Sequence, residues 1–328
     1  MNKIKIGIYG YGNLGKGVEL AIRNNPDMEL IGIFTRRDPS SVTPRFNDSK
    51  VFSIEEAYQM KEQIDIMILC CGSATDLPTQ GPEMCSIFNT VDSFDTHAKV
   101  PEYFASMNES SKKANTLALI ACGWDPGLFS LNRSLLESIL PNGENYVFYG
   151  KGLSQGHSDA IRRIEGVKNA VQYTVPYEDS VEKVRTGKNP HFSSVREVMW
   201  RECFVVLEDG ANPEKVEKEI KEMPHYFEPY NTTVHFISEQ ELKEKHSGMP
   251  HGGFVLRSGT TSEGKTQIAE FSLKLDSNPE FTASVLIAYA RAIHKMKNRG
   301  LTGAITVLDV PLGLLSNKTQ EELLKNII

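Results

Sequence analysis

The sequence is poor in the features that mark several protein classes. No apolar stretch among its 328 residues approaches the roughly 18 needed to cross a membrane, and no polybasic run offers itself to a membrane surface. Positive charge is in the minority, with 36 Lys and Arg against 42 Asp and Glu and a net charge of −6. That balance argues against general nucleic-acid binding, which needs a basic face. Cysteine is scarce: Cys70, Cys71, Cys85, Cys122 and Cys203 are odd in number and form no CxxC pair. They read as buried reduced thiols of a cytoplasmic protein rather than as a disulfide framework. His246 and His251 lack a Cys or acid at a spacing that completes a metal set, so no zinc site is expected. Nor is a signal peptide, because a glycine pattern begins almost at Met1. Internal repeats and low-complexity tracts do not stand out.

What remains is ordinary globular material, 40% hydrophobic and 24% charged, in a chain long enough for two domains. Its most informative stretch is GIYGYGNLGKG, residues 7 to 17. KIKIGIY before it is β-branched enough for a buried strand, and GKGVELAIRNNP after it has apolar spacing near 3.6 until Pro26 stops the helix. In such a unit Gly10 allows the sharp turn, Gly12 lets backbone approach a pyrophosphate, and Gly15 lets helix pack on strand. The helix N-terminus then offers free N–H groups and a favourable dipole to an anion. The turn as a whole, Gly10, Tyr11, Gly12, Asn13, Leu14 and Gly15, is the expected cofactor cradle. NAD enzymes place an acid at the end of the next strand to bond the ribose 2′-hydroxyl. Here ELIGIFTRRD offers Thr35, Arg36 and Arg37, which suit a 2′-phosphate. The expected cofactor is therefore NADP, with Asp38 as a turn residue before Pro39.

Up to about residue 122 the chain reads as a Rossmann-type doubly wound α/β domain. IDIMILCCG, NTVDSFD and NTLALIACG are near-continuous apolar runs of parallel strands buried on both faces, with helical stretches such as VPEYFASMNESSKKA between them. From about residue 146 the rhythm changes to period two in NYVFYG, AVQYTVP, ECFVVLE, TTVHFIS, GGFVLRSGTT and TQIAEFSLKL. This predicts a second α+β domain with one mixed or antiparallel sheet, one face of it free to line a cleft, and few helices. One helix is NPEKVEKEIKEMP, with Pro213 in its first turn. The helical FTASVLIAYARAIHKMKNRG and the apolar tail AITVLDVPLGLL are expected to pack back on the first domain. The predicted division is 1–122 plus about 279–328 for the dinucleotide, and 123–278 for substrate binding, a second domain to which the family resemblance given below also assigns dimerisation.

Ligands bind outside the carboxyl edge of an open parallel sheet, and three loops there stand out. CCGSATD puts Cys71, Gly72, Ser73, Ala74 and Thr75 under the nicotinamide-ribose side of the cofactor. VDSFDTH brings Asp92, a further expected cofactor contact, with Asp95 and His97, and GWDPG sets Trp124 and Asp125 on a tight turn. Two carboxylates near a nicotinamide point to a cationic ammonium on the substrate. In the second domain GLSQGHSDAIRRI leads with Ser154, Gln155 and Ser158 into a short helix whose N–H groups suit a carboxylate. Thr174, Arg201 and His251 make a second carboxylate clamp. Taken singly, each of these residues also fits an ordinary N-cap, strand or surface role; it is their convergence that points to function.

In this order along the chain, GYGNLG, GIFTRR, CGSATD, GWDPG, GLSQGHSDAIRRI, AVQYT, RECFVV, GMPHGG and LDSNPEFTAS resemble the meso-diaminopimelate dehydrogenases over nearly the whole length. The resemblance implies NADP-dependent, reversible oxidative deamination of meso-2,6-diaminopimelate at its D-centre, giving L-2-amino-6-oxopimelate and ammonia. The reverse direction serves lysine and peptidoglycan synthesis in bacteria, and the resemblance further implies a homodimer. It would place the D-centre ammonium at Asp95 and Asp125 with Trp124 beside them, and the D-carboxylate near Gln155 and Gly156. Thr174, Arg201, His251 and Asn278 would hold the distal L-centre. Arg196 would replace Arg201 if the register slips, and which aspartate, or a water it orients, accepts the proton stays open. Cleft closure would hinge near residues 122–127 and 275–280. Two other classes are weighed beside it. A non-catalytic NADPH-binding sensor would have little use for two aspartates and a second clamp. Another lysine-pathway oxidoreductase, of the dihydrodipicolinate reductase or homoserine dehydrogenase kind, shares the first domain but is not expected to carry GLSQGHSD followed by GMPHGG.

Overall fold

The computed structural model describes residues 3–328. The chain opens with β1 (Ile4–Tyr9), α1 (Asn13–Arg23), β2 (Met28–Thr35), β3 (Val51–Ser53), α2 (Ile54–Gln59), β4 (Ile66–Leu69), α3 (Leu77–Cys85), β5 (Thr90–Asp92), α4 (Val100–Ala114), β6 (Leu117–Leu119) and α5 (Leu128–Ile139). There follow β7 (Gly143–Tyr149), β8 (Gly152–Leu153), α6 (Gln155–Arg162), β9 (Val167–Pro176), α7 (Glu178–Arg185), β10 (Met199–Leu207), α8 (Pro213–Lys221), β11 (Asn231–Phe236), α9 (Glu239–Lys245), β12 (His251–Ser262) and β13 (Lys265–Leu275). It ends with α10 (Asn278–Lys297), β14 (Gly303–Ile305) and α11 (Gln320–Asn326). Two compact units result, Met1–Leu131 with Pro279–Ile328, and Asn132–Asn278. The first junction falls inside α5 rather than at residue 122. Cys122 N–H donates to the Asp92 carbonyl at 2.9 Å and Trp124 packs edge-on against Phe129, centroids 5.2 Å apart, so GWDPG and the first turn of α5 stay with the first unit.

The first unit is a seven-stranded sheet in the order β14-β6-β5-β4-β1-β2-β3, parallel throughout. Its strands are apolar on both sides because both sides are covered. Ile6, Ile8, Ile66 and Ile68 face α1 and α10 with Val18, Ile22, Leu286 and Ile293, while Met67, Leu69 and Tyr9 face α3 and α4 with Met84 and Tyr103. Each such side chain is worth roughly 1.5–3 kcal/mol on burial, so a handful of them match the whole margin of a domain. The strand order reverses between β1 and β4, where an open parallel sheet leaves a crevice for a ligand.

The second unit holds two sheets where the period-two rhythm predicts one. β11-β10-β9-β8 is mixed, with β10 and β11 parallel, and β13-β12-β7 is antiparallel. Alternation along a strand fixes its faces but not its neighbours, so the split could not be read from it. Four helices, α6 to α9, connect these strands, more than expected. Side chains of α6 and α8 cover one face of the mixed sheet with Ile161, Val216 and Ile220 against Ala170, Cys203 and Val205. In α8 the Asn212 side chain accepts from Glu214 N–H at 2.9 Å with Pro213 in the first turn, which satisfies helix-end donors locally. No helix among the described residues is long and apolar enough to cross a membrane.

Candidate functional site

In the first unit the glycine-rich turn joins β1 to α1 at the reversal of strand order. Gly10 sits at φ +90° and its N–H donates to the Phe34 carbonyl at 2.9 Å, a conformation that favours glycine. A Cβ added at Gly12 would meet nothing within 4 Å, and the start of α1 has neither a capping side chain nor an acid in its first turn. Bare backbone and a helix N-terminus are thus presented together, which suits a pyrophosphate. Tyr11 departs from its expected role as a cofactor contact. Its ring is buried, and its hydroxyl bonds Glu19 and accepts from Arg45 N–H at 2.7 Å; only its main chain lies in the turn, the carbonyl accepting from Arg37 Nη2 at 3.2 Å.

The end of β2 carries no acid aimed at a ribose. Asp38 accepts from Ser40 N–H at 2.9 Å and starts a 3₁₀ turn. Arg36 pairs with Asp76 at 2.9 Å, and Gln80, its amide oriented to satisfy both neighbours, accepts from Arg36 at 2.7 Å and donates to the Tyr9 hydroxyl at 3.2 Å. Thr35 is buried and its Oγ1 accepts from Arg37 N–H at 3.1 Å. Two guanidinium groups therefore flank the turn, held by an acid on the next loop and a backbone carbonyl. Asp76 and Gln80 were not singled out by sequence, because nothing in CGSATD says which way its last residue points.

The loop after β4 lies on the other side of the reversal point. Ala74 and Thr75 are exposed, as is Gly72, whose N–H donates to Asp76 at 3.1 Å. Burial pushes the Cys71 thiol up to about 12, so it is an inert thiol rather than a nucleophile. Ser73 Oγ accepts from Asp95 N–H at 2.8 Å, which ties this loop to the one after β5. Asp95 and His97 are exposed, Asp125 is half-buried, and Trp124 is buried. Asp92 is a correction. Expected as a cofactor contact, its side chain is fully buried and accepts from Phe94 N–H at 2.9 Å, Ala121 N–H at 3.1 Å and the Tyr103 hydroxyl at 2.8 Å. Desolvation pushes its pKa up to about 6. Ending a strand of three residues, it points inward, on the side of Phe94 and Tyr103.

In the second unit, strand register assembles residues far apart in sequence. Arg201 of β10 pairs with Thr174 of β9, and Thr174 with Gly152 of β8. A Cβ on Gly152 would run into the His251 ring, so the imidazole lies over that position. Leu153 N–H donates to the Pro250 carbonyl at 2.8 Å and Asn278 N–H to the Met249 carbonyl at 2.9 Å, while Gln155 Nε2 reaches Met249 Sδ at 3.1 Å. Thr174, Arg201, His251, Gln155 and Asn278 are in this way gathered around β8. Gly156 is exposed, and a Cβ there would meet nothing within 4 Å. Ser154 and Ser158 are used internally: Ser154 caps α6 at His157 N–H, and Ser158 Oγ donates to the Ser154 carbonyl at 2.6 Å. Arg196 is exposed and donates to the Glu228 carbonyl at 2.6 Å, so the arginine beside Thr174 is Arg201.

Arg201 has an unusual setting. It is 6% exposed, bonds Thr174 Oγ1, stacks over the Tyr230 ring at 3.9 Å, and its Nε has no acceptor. Burial lowers its pKa, and no carboxylate pairs with it among the described residues. Nearby His157 is pulled down to about 4, first by burial and then by the Arg201 charge. A buried guanidinium without a counter-ion is costly unless an anion completes it. Tyr230 was missed in the sequence because nothing in FEPYNTT signals a partner on β10. No cluster of three or more His, Cys, Asp or Glu that could hold a metal occurs among the described residues.

Residues 123–277 match the family model of the diaminopimelic acid dehydrogenase C-terminal domain. The chain is 61% identical to the meso-diaminopimelate D-dehydrogenase of Ureibacillus thermosphaericus over all of both chains. It superposes with TM-score 0.94 and 55% identity on a Clostridium tetani E88 meso-diaminopimelate dehydrogenase mutant solved with DAP, over 99% of this chain and 100% of that one. An engineered D-amino acid dehydrogenase bound to NADP+ gives TM-score 0.87 and 42% identity over 100% of both. Fold, glycine turn and relatives together define an amino acid dehydrogenase with a dinucleotide-binding unit. Within that class, the chain belongs to the meso-diaminopimelate dehydrogenase family.

Proposed function

We propose that this protein catalyses the NADP-dependent, reversible oxidative deamination of meso-2,6-diaminopimelate at its D-centre, giving L-2-amino-6-oxopimelate and ammonia. The observation that carries the reading is Arg201, a buried cation with one unused N–H and no acid to neutralise it, as a site for a substrate carboxylate should be. The engineered relative binds NADP+, and the turn at Gly12 with Arg36 and Arg37 suits its pyrophosphate and 2′-phosphate. In the Clostridium tetani mutant solved with DAP, a Gln, a Thr, an Arg, an adjacent Pro and His, and an Asn were replaced. Gln155, Thr174, Arg201, Pro250, His251 and Asn278 stand here in the same order. Pro250 joins the candidate residues on that ground.

On this reading Arg201, Thr174, His251 and Asn278 hold the L-centre, and Gln155 and Gly156 lie near the D-carboxylate. Asp95 and Asp125, with Trp124 beside them, receive the D-centre ammonium. One of the two aspartates, or a water it orients, takes a proton from that ammonium, because only a neutral amine has the lone pair needed to form C=N as hydride leaves the carbon. NADP+, when bound, supplies the hydride acceptor. Water then adds to the iminium carbon, and the C–N bond breaks to release ammonia. Gripping the far end of the substrate leaves only the D-centre hydrogen in reach, and an amino acid without that end leaves Arg201 unpaired, so simple amino acids are rejected strongly. The reading extends to a cytoplasmic homodimer working in lysine and peptidoglycan precursor synthesis.

The test is NADP+ reduction with meso-, LL- and DD-diaminopimelate and with D-lysine. Turnover confined to the meso isomer is the expected result. Tight NADPH binding with no turnover of any of the four would overturn the reading in favour of a sensor.

A further inference from the structure

We propose that Asp92 is a positioning residue that fixes the spacing of the loops bearing Asp95 and Asp125, an inference that rests on the role given to those two aspartates above. The grip has four points. Asp92 Oδ1 accepts from Phe94 N–H at 2.9 Å and from Ala121 N–H at 3.1 Å, Oδ2 accepts from the Tyr103 hydroxyl at 2.8 Å, and the main-chain carbonyl accepts from Cys122 N–H at 2.9 Å. Phe94 immediately precedes Asp95, and Ala121 and Cys122 lead directly into GWDPG. One side chain thus bonds the exits of β5 and β6, the two strands that deliver the carboxylates.

The surroundings show that this grip is stiff. The Phe94 and Tyr103 rings stack, centroids 4.2 Å apart and 21° from parallel, and both are buried. Ala121 is held at φ +52°, a backbone state that an L residue adopts only when its surroundings impose it, and Asp92 Oδ1 holds its N–H there. On the other side Asp95 N–H donates to Ser73 Oγ, so the loop is fastened on both sides of Phe94 while Asp95 itself stays exposed. Being fully buried, Asp92 cannot touch a ligand itself. A carboxylate kept in a place that disfavours its charge is accounted for by the buried donors of the two loops it joins, which an apolar side chain would leave without an acceptor.

The experiment is steady-state NADP+ reduction with meso-diaminopimelate and, separately, NADPH binding by fluorescence titration, for Asp92→Ala, Asp92→Asn and Tyr103→Phe. Asp92→Ala should lower kcat by about 100-fold, the order expected when reacting groups move by about an ångström, with the NADPH Kd changed by less than about threefold. Asp92→Asn keeps an acceptor for Phe94 and Ala121 and should restore kcat to within about fivefold of wild type. Tyr103→Phe removes only the Oδ2 contact and should lower kcat by about threefold, which tests the proposal even where Asp92→Ala fails to fold. Wild-type kcat in folded Asp92→Ala, or a fall in kcat matched by an equal loss of NADPH binding, overturns it. If Asp95→Ala and Asp125→Ala depress kcat while the Asp92 and Tyr103 variants do not, only this inference falls. If the wild type does not turn over meso-diaminopimelate, the functional reading falls and takes this inference with it.

Discussion

Asp92 in the first unit and Arg201 in the second are both buried charges, and the chain treats them in opposite ways. Asp92 is surrounded by donors that use both of its oxygens. Arg201 has a hydroxyl, an aromatic face and an unused N–H. A buried ion whose atoms are all hydrogen-bonded has nothing left for a ligand, whereas one with an unused donor still has a hydrogen bond to offer an anion. Glu19 follows the first pattern, its buried carboxylate taking the Tyr11 hydroxyl and Arg45 N–H, whereas Arg36 and Arg37 at the rim of the glycine turn are exposed charges and stand outside this contrast.

The sharpest way to break this contrast is Arg201→Met. The loss in kcat/KM for meso-diaminopimelate should be about 10³-fold, while Tm holds or rises because an uncompensated buried charge is gone. A marked fall in Tm would show that the guanidinium is structural after all. A second test uses pH. Desolvation raises the Asp92 pKa to about 6 from 3.8, so its ionised form opposes folding. That penalty is absent below about pH 4, grows as pH rises through 6, and then stays constant at up to about 3 kcal/mol. Asp92→Asn should therefore match the wild type in thermal melts near pH 4 and exceed it above pH 7, and an advantage independent of pH would contradict the cause given. The smallest effect belongs to Arg36→Ala, expected to raise the KM for NADP+ by about tenfold and that for NAD+ by less than about twofold. Equal changes for both cofactors would remove Arg36 from the residues kept for a ligand.

Much of the first unit was legible because its signals are local. VPEYFASMNESSKKA is α4 residue for residue, the buried strands read as apolar runs, and the glycine turn lies where a strand hands over to a helix. Asp92 was misread because β5 has three residues, too few for alternation to show which way a side chain points. Its position at the ligand edge then suggested the wrong neighbour. β3 and α2 escaped for the same reason of length. In the second unit, Thr174, Arg201 and His251 were identified as chemistry, but their meeting around β8 depends on strand register across about 100 residues, and Tyr230 and Met249 carry no motif. Pairing of distant strands is a property of the whole chain, and short windows do not contain it.

The first unit is closed by segments from both sides of the second. α10 lays Ala283, Leu286, Ala290 and Ile293 into the same core as Val18 and Ile22 of α1, so tightly that a Cβ on Gly17 would stand 2.9 Å from the Pro279 carbonyl oxygen, and β14 adds the last strand beside β6. During synthesis, then, the part of the first unit that ends at Leu131 leaves the ribosome with a greasy flank uncovered and waits while the entire middle unit is made. That middle unit is continuous and can fold first, so the order of maturation runs opposite to the order of translation. Ribosome-stalled chains ending before residue 279 should accordingly depend on chaperones for the part made first.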